Sequence, residues 1–382
     1  MGRAMRLRWG MVGGGEGSQI GPAHRLGARL DDLFAFTAGA LDVDAARGRD
    51  YGVRLGLDPA RAYGDWQEML AGERDRDDRV DLVTIATPNS THHPIALAFL
   101  QVGFDVLVEK PMTMSVAESE ELVAAAEASG VELAVNYGYS GYPLVRHARA
   151  MVARGDLGNV RVVRATFAHG HHADAAQADH PRIRWRYDPA QMGVSAQFAD
   201  CGIHALHLAT FVTGQRPVRL SADFASTIPS RTLEDDAMVN LRFDGGAIGR
   251  LWTSAVAVGR QHGLAIEVFG EKGGLSWTQE QPNQLLWTPT DGRTATIERG
   301  EAGLSPEHDR ANRVTVGHAE GMPLAFANLY ADLAERIAAR KEGRTPDPAT
   351  AGLPSGTDGL LGVRAIHAAV ESAGRDGAWI DV

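Results

Sequence analysis

Cysteine is all but missing from this chain. Cys201 is the single one in 382 residues, which excludes an internal disulfide and predicts a reducing compartment, the cytoplasm by default. Long apolar runs are missing too: no stretch of about twenty such residues occurs, so no segment reads as membrane-spanning. The N-terminal MGRAMRLRWGMVGGG carries positive charge, but its apolar stretch is too short for a signal peptide, and Met5 reads as a second candidate start. Lysine is scarce, and the arginines are scattered among acids within a net charge of −10. Without a basic patch, neither nucleic acid nor a membrane surface is expected as a partner. Repeats and low-complexity segments are absent as well. What is there is the composition of a soluble globular protein, 44% apolar and 23% charged, long enough for two domains.

The grammar of the chain changes near residue 138. Before it, strand candidates at 6–12, 34–41, 80–87, 105–109 and 131–137 alternate with helical segments. Ser115 and Glu118 form a capping box that opens one helix, and Gly130 closes it; Asp65 and Glu68 open another, and Pro94 reads as a first helical residue. Alternating β and α with near-continuous apolar strands predicts a parallel sheet covered on both faces. After residue 158, strands are expected at 159–170, 216–227, 237–243, 247–256, 264–270 and 283–289. Short turns at 244–246, 271–274 and 291–292 join several of them, which predicts an antiparallel sheet. Helices are expected at 324–341 and 356–373, and 300–321 reads as a long loop.

Between the first strand and first helix lies GGGEGSQIG, residues 13–21. Backbone N–H groups at a helix start can hold a dinucleotide pyrophosphate there. The spacing departs from G-x-G-x-x-G, with five residues between Gly15 and Gly21, so a plain tight turn competes with that reading. Asp42, 21 residues past Gly21, is the candidate acceptor for the adenosine ribose. It favours NAD over NADP, because a carboxylate repels the extra phosphate; Asp44 stands near enough to share the role. ATPNSTHHP and VEKPM end the third and fourth strands, where doubly wound sheets bind ligands, and Lys110 is aimed at that crevice.

FADCGIHALHLATFVTG, residues 198–214, reads as a helix from about Cys201, closed by Gly214. Asp200 and His204 are four apart on one face, with His207 a turn further on. A carboxylate beside an imidazole handles protons; a capping acid and a core histidine are the plainer alternative. His169, His171, His172, Asp174 and His180 cluster at a strand end, but their uneven spacing favours a pocket border over a zinc site. No metal is expected. Tyr137, Tyr139 and Tyr142 in NYGYSGYP serve either hinge packing or a pocket wall, and Trp185 and Arg186 read as pocket walls.

Together GGG…IG, TPNSTHH, EKP and the D-x-G-x-H from Asp200 to His204 resemble the Gfo/Idh/MocA oxidoreductase family over essentially the whole chain. GGGEGSQIGPAHR, NYGYSGYP and WRYDP are similar to its branch of levoglucosan, sugar and glycoside dehydrogenases, where an expanded glycine loop is usual. The resemblance implies that Lys110 bonds the substrate oxygen and that His204 takes the hydroxyl proton with Asp200 assisting. It implies cofactor contacts from Gly13, Gly15, Ser18, Ile20, Gly21, Asp42, Thr87, Pro88, Asn89, His92, Glu109, Lys110, Asn136, Trp185 and Arg186. Substrate contacts are implied for Lys110, Tyr139, Tyr142, His169, Arg186, Asp200 and His204. Cys201, His207 and the missing Gly-Gly before Asp200 depart from the family pattern and alter the pocket rather than the triad.

The expectation is an α/β enzyme with a Rossmann doubly wound parallel sheet over 1–138. An α+β domain with a large, mostly antiparallel open sheet would cover 139–382, its exposed face predicting a homodimer or homotetramer. NAD would take hydride from a secondary hydroxyl of a sugar, glycoside, anhydrosugar or inositol, with pyranose C3 favoured. A glycoside-cleaving enzyme that retains NAD, or a non-catalytic NAD-binding regulator, are the competing readings.

Overall fold

The computed structural model describes residues 6–382, so a start at Met5 lies outside the described residues. Two compact units emerge. One gathers the chain up to Thr113 with Ala117–Gly141 and Met322–Leu360; the other gathers Met114–Val116, Tyr142–Gly321 and Leu361–Val382.

The first unit is built from β1 (Leu7–Gly13), α1 (Gly21–Leu30), β2 (Phe34–Ala40), α2 (Ala45–Arg54), α3 (Trp66–Glu73), β3 (Leu82–Ala86), α4 (His92–Gln101), β4 (Asp105–Val108), α5 (Val116–Ser129) and β5 (Leu133–Val135). Its five strands run parallel in the order β2-β1-β3-β4-β5. Leu82, Val83, Ile85, Val106, Leu107 and Val108 are wholly buried, as strands covered on both faces must be. The caps follow the sequence: the Asp65 carboxylate accepts from the Glu68 amide at 2.8 Å, and Gly130 takes a φ of 65° after α5. Pro94 is the third helical residue rather than the first, because α4 already starts at His92.

The second unit opens with α6 (Pro143–Ala153), β6 (Val160–Ala168), the one-turn helices α7 (Pro181–Arg184) and α8 (Pro189–Met192), and α9 (Ile203–Thr213). Then come β7 (Pro217–Ala225), β8 (Asp236–Phe243), β9 (Ile248–Ser254), β10 (Leu264–Gly270), β11 (Gly273–Thr278), β12 (Gln284–Pro289), β13 (Ala295–Glu298) and the short α10 (Pro306–Ala311). The chain ends with α11 (Met322–Glu342), α12 (Gly356–Ala373) and β14 (Ile380–Asp381). Nine strands form one sheet in the order β13-β12-β11-β10-β6-β9-β8-β7-β14, antiparallel throughout except for β6 beside β9. β11, β13 and β14 escape the sequence reading, and α10 interrupts the expected loop.

The contiguous division at residue 138 needs correcting. α11 belongs to the first unit, where Leu329, Tyr330, Leu333 and Ile337 are buried in one cluster with Trp9, Met11, Phe34 and Leu107. A parallel sheet exposes apolar faces that need helical cover, and this late helix supplies it. Among the described residues no helix is long and apolar enough to cross a membrane.

Candidate active site

The glycine loop rises from β1 and is held from below. The Gly14 amide donates to Ala86 O at 3.1 Å, and the Arg25 guanidinium of α1 donates to Gly14 O at 2.6 Å and Tyr51 Oη at 3.0 Å. Ser18 turns its Oγ to the Gly21 amide at 3.1 Å, satisfying one donor at the start of α1. Ile20 stands at the cap position of α1 and packs on the core of the unit. Gly13 takes a φ of +78°, and a β-carbon there would collide with the Ala86 carbonyl; one on Gly15 would collide with that of Leu41. Bare backbone at a helix N-terminus, with a carboxylate at the end of the next strand, fits a dinucleotide. That carboxylate, Asp42, is gripped by Arg47 at 2.6 and 2.8 Å and by the Asp44 amide at 3.0 Å. Arg47's hydrogen bond holds its pKa below the usual carboxylate range. Asp44 instead caps α2, accepting from the Arg47 amide, so the two acids divide their work.

The ends of β3 and β4 lie beside one another. Thr87, Pro88 and Asn89 lead into a single turn in which Thr91 Oγ1 donates to Pro88 O at 2.7 Å and stands 2.8 Å from Thr87 Oγ1, whose hydrogen it can accept. His92 is wholly buried, with Nδ1 2.9 Å from Pro111 O and Nε2 2.9 Å from Thr87 O. Both ring nitrogens lie against loop carbonyls, so His92 ties the two loops together. Burial lowers its pKa. Glu109 is buried while Lys110, next to it, is half-buried. The Glu109 carboxylate accepts from Asn136 Nδ2 at 2.5 Å, His24 Nε2 at 2.9 Å and the Lys110 amide at 3.2 Å.

In the second unit, the segment read as a helix from Cys201 opens instead with a π turn, Phe198–Gly202, before α9. Such turns recur at functional sites. Asp200 lies in it, 3.6 Å from Arg186 Nε, whose guanidinium stacks on Trp185 at 4.4 Å. The turn is anchored by Glu234, which accepts from Ser195 Oγ at 2.6 Å, Phe198 N at 3.0 Å and Ala196 N at 3.1 Å. His204 is 9% exposed, its ring 6.0 Å from that of Phe167. His207 packs on Phe211 as a core histidine.

Around Asp200 stand His169, His171 and His172. The rings of His169 and His171 stack at 4.9 Å, His169 Nε2 lies 3.7 Å from Cys201 Sγ, and His172 Nδ1 meets Tyr187 Oη at 3.0 Å. Burial pushes both His169 and His172 down to about 4. At neutral pH these rings are therefore neutral, with one donor and one acceptor nitrogen each, and His169 Nδ1 accepts from the His171 amide at 3.3 Å. Asp174 caps a separate turn by accepting from the Ala176 amide. Among the described residues no group of three or more His, Cys, Asp or Glu is arranged to hold a metal.

The tyrosines divide as well. Tyr142 is buried against Trp277 at 5.2 Å, with Gln279 Nε2 donating to its hydroxyl, which is the packing that the sequence offered beside a pocket role. Tyr137 is buried in the first unit, where burial raises its pKa, and Tyr139 is half-buried in the turn Gly138–Gly141. Tyr330 and Glu234 were missed altogether, and His24 and Arg25 entered only as the end of GGGEGSQIGPAHR, with no role of their own. Only the LEDD run before β8 offered a sign, for Glu234.

Residues 7–137 match the oxidoreductase family with an NAD-binding Rossmann fold, GFO/IDH/MocA, and residues 145–276 match the GFO/IDH/MocA C-terminal domain. The uncharacterized oxidoreductase YfiI of Bacillus subtilis (strain 168) is 36% identical over 98% of this chain and 96% of its own. An inositol dehydrogenase homolog from Azotobacter vinelandii, solved with NAD+ and with NADH and myo-inositol, superposes with TM-scores of 0.93 and 0.91. It is 40% identical, covering 99% of this chain and 98% of that one. The levoglucosan dehydrogenase of Pseudarthrobacter phenanthrenivorans is 25% identical over 73% of this chain and 75% of its own. The chain belongs to the GFO/IDH/MocA oxidoreductases, and its first unit is the NAD-binding Rossmann domain of that family.

Proposed function

We infer that this oxidoreductase takes a secondary hydroxyl of a cyclic polyol or sugar to the ketone, with inositol-type rings favoured. The observation that carries the reading is the 40% identity, across 99% of the chain, to a homolog solved with NADH and myo-inositol. Bound NAD supplies the hydride acceptor, its nicotinamide C4. The bare backbone of the glycine loop and the Asp42 carboxylate suit the pyrophosphate and the adenosine ribose. Lys110, at the carboxyl end of β4, donates to the substrate oxygen and makes its proton easier to lose. His204 receives that proton, and Asp200, steadied by Arg186, favours the charged ring that results. Neutral His169 and Tyr139 suit the remaining hydroxyls. The likeness to a levoglucosan dehydrogenase keeps an anhydrosugar or pyranose, oxidised at C3, as the second reading.

The test is NADH formation with NAD, then NADP, against myo-inositol, scyllo-inositol, levoglucosan and a set of pyranoses. Turnover with NAD on the inositols is the expected result. Silence on every cyclic polyol and sugar, with NADH still bound by calorimetry, overturns the substrate class.

A further inference from the structure

Beneath the glycine loop runs a buried chain of side chains that the reaction does not itself use. Trp9 Nε1 of β1 donates to Thr84 Oγ1 of β3 at 2.9 Å, and Thr84 Oγ1 lies 2.9 Å from Tyr330 Oη of α11. Tyr330 Oη is 2.9 Å from His24 Nδ1 of α1, and His24 Nε2 is 2.9 Å from Glu109 Oε1 at the end of β4. His24 and Thr84 are wholly buried, and Tyr330 nearly so.

Donor accounting gives the chain a direction. An indole only donates and a carboxylate only accepts, so the two ends are set. Thr84 receives the Trp9 hydrogen and passes its own to Tyr330; Tyr330 passes its hydrogen to His24 Nδ1. His24 then carries its proton on Nε2, aimed at Glu109. Every group donates once and the chain ends on a negative charge. Glu109 spends its remaining acceptor sites on Asn136 Nδ2 and the Lys110 amide.

We propose that His24 is a positioning residue: through Glu109 it fixes the Lys110 backbone and the Asn136 amide, linking the helix of the glycine loop to the lysine that meets substrate. The proposal rests on the dehydrogenase reading for the role of Lys110. The His24 ring, the Asn136 amide and the Lys110 amide bond Glu109, the Lys110 charge acts on it, and His92 and the Tyr330 hydroxyl lie within its electrostatic reach. Burial alone would raise the Glu109 pKa, but the hydrogen bonds from His24 and Asn136 and the charge of Lys110 work against it and hold the carboxyl low. Without His24, burial takes over and Glu109 protonates at a higher pH. The carboxylic acid that forms then gives up one of its acceptor oxygens, and Lys110 loses its anchor.

The experiment compares His24→Leu, His24→Gln and Tyr330→Phe with the wild type. It measures kcat and KM for myo-inositol and the Kd for NADH, each across pH. His24→Leu is expected to lower kcat about tenfold to a hundredfold, the cost of a small misplacement, with KM little changed. It also moves the acid limb of both kcat and NADH binding toward neutral pH. His24→Gln, whose amide N–H reaches the Nε2 position, restores most of the loss, and Tyr330→Phe, which leaves the Glu109 donor in place, keeps the wild-type acid limb. A His24→Leu protein with wild-type pH profiles, or a His24→Gln protein no better than His24→Leu, overturns the proposal. If no polyol turns over, the NADH titration alone decides: a shifted acid limb supports the relay and superposable curves sink it. Nitrogen NMR of the wild-type histidines covers the case in which the leucine variant fails to fold or NADH does not bind. A proton on Nε2 of His24 is expected, and one on Nδ1 alone overturns the proposal.

Discussion

Lys110 is one of three lysines in the chain, with Lys272 and Lys341. Its backbone is pinned by Glu109 just past the end of β4. Lys110→Ala removes the donor that stabilises charge developing on the substrate oxygen, and kcat should fall about a hundredfold to a thousandfold. NADH affinity should stay close to wild type by calorimetry; its loss would reassign the lysine to the cofactor. Asp42 offers a second test at this scale. Arg47, half-exposed, is neutralised by Asp42. Asp42→Ala removes the repulsion against a ribose phosphate and frees the guanidinium to meet it. The NADP-to-NAD ratio of kcat/KM should rise about tenfold or more, since a charge-assisted bond contributes about 1.5–3 kcal/mol. An unchanged ratio would show that Asp42 does not face the ribose. Lys110, Asp200, His204 and the glycines were legible because each sits in a short motif whose spacing carries the chemistry. His24 was not, because its partners Glu109 and Tyr330 stand 85 and 306 residues away. A lone histidine inside a helix gives no local sign of either.

At the scale of elements, alternation and caps gave away the parallel strands to within two residues or so at most ends, since buried strands between capped helices leave few other readings. β11 failed that reading because Gly273-Gly274 looks like a turn, although the chain has already turned and pairs onward with β12. The π turn was illegible for another reason: its cause is Glu234, which comes from before β8 and takes the Ala196 and Phe198 amides and the Ser195 hydroxyl. Glu234 is 6% exposed, and burial raises its pKa against the pull of those donors. Glu234→Ala leaves buried donors unmet and should lower stability by about 1–3 kcal/mol in urea unfolding. It should also depress kcat, because Asp200 rides on the turn. A variant of unaltered stability and turnover would show that the turn holds without its anchor.

At the scale of the whole molecule, the nine-stranded sheet leaves one face bare. The ladder register sets Phe269, Val162, Ile248 and Arg242 on that face, with Met238 and Leu286 on the same side. Phe269, Met238 and Leu286 are 40%, 45% and 42% exposed. We propose that a second copy covers them. Light scattering should give the mass of a dimer or tetramer, and Phe269→Glu with Met238→Glu should shift it downward; a monomer at all concentrations would refute the pairing. Acid stability is the last property carried by the fold at large. Burial pushes His147, His169 and His172 each down to about 4, from an ordinary 6.5. Between those two values the unfolded chain binds protons that the folded chain refuses, so stability rises with pH across that window and levels off above it. The urea midpoint should therefore be flat above about pH 7 and fall steadily toward about pH 4. His147→Gln, which removes one such group while keeping an amide near its place, should flatten part of that slope, the rest staying with His169, His172 and the likewise lowered His92 and His262. A midpoint that fails to drop between those limits would mean that the three rings take up protons in the folded protein after all.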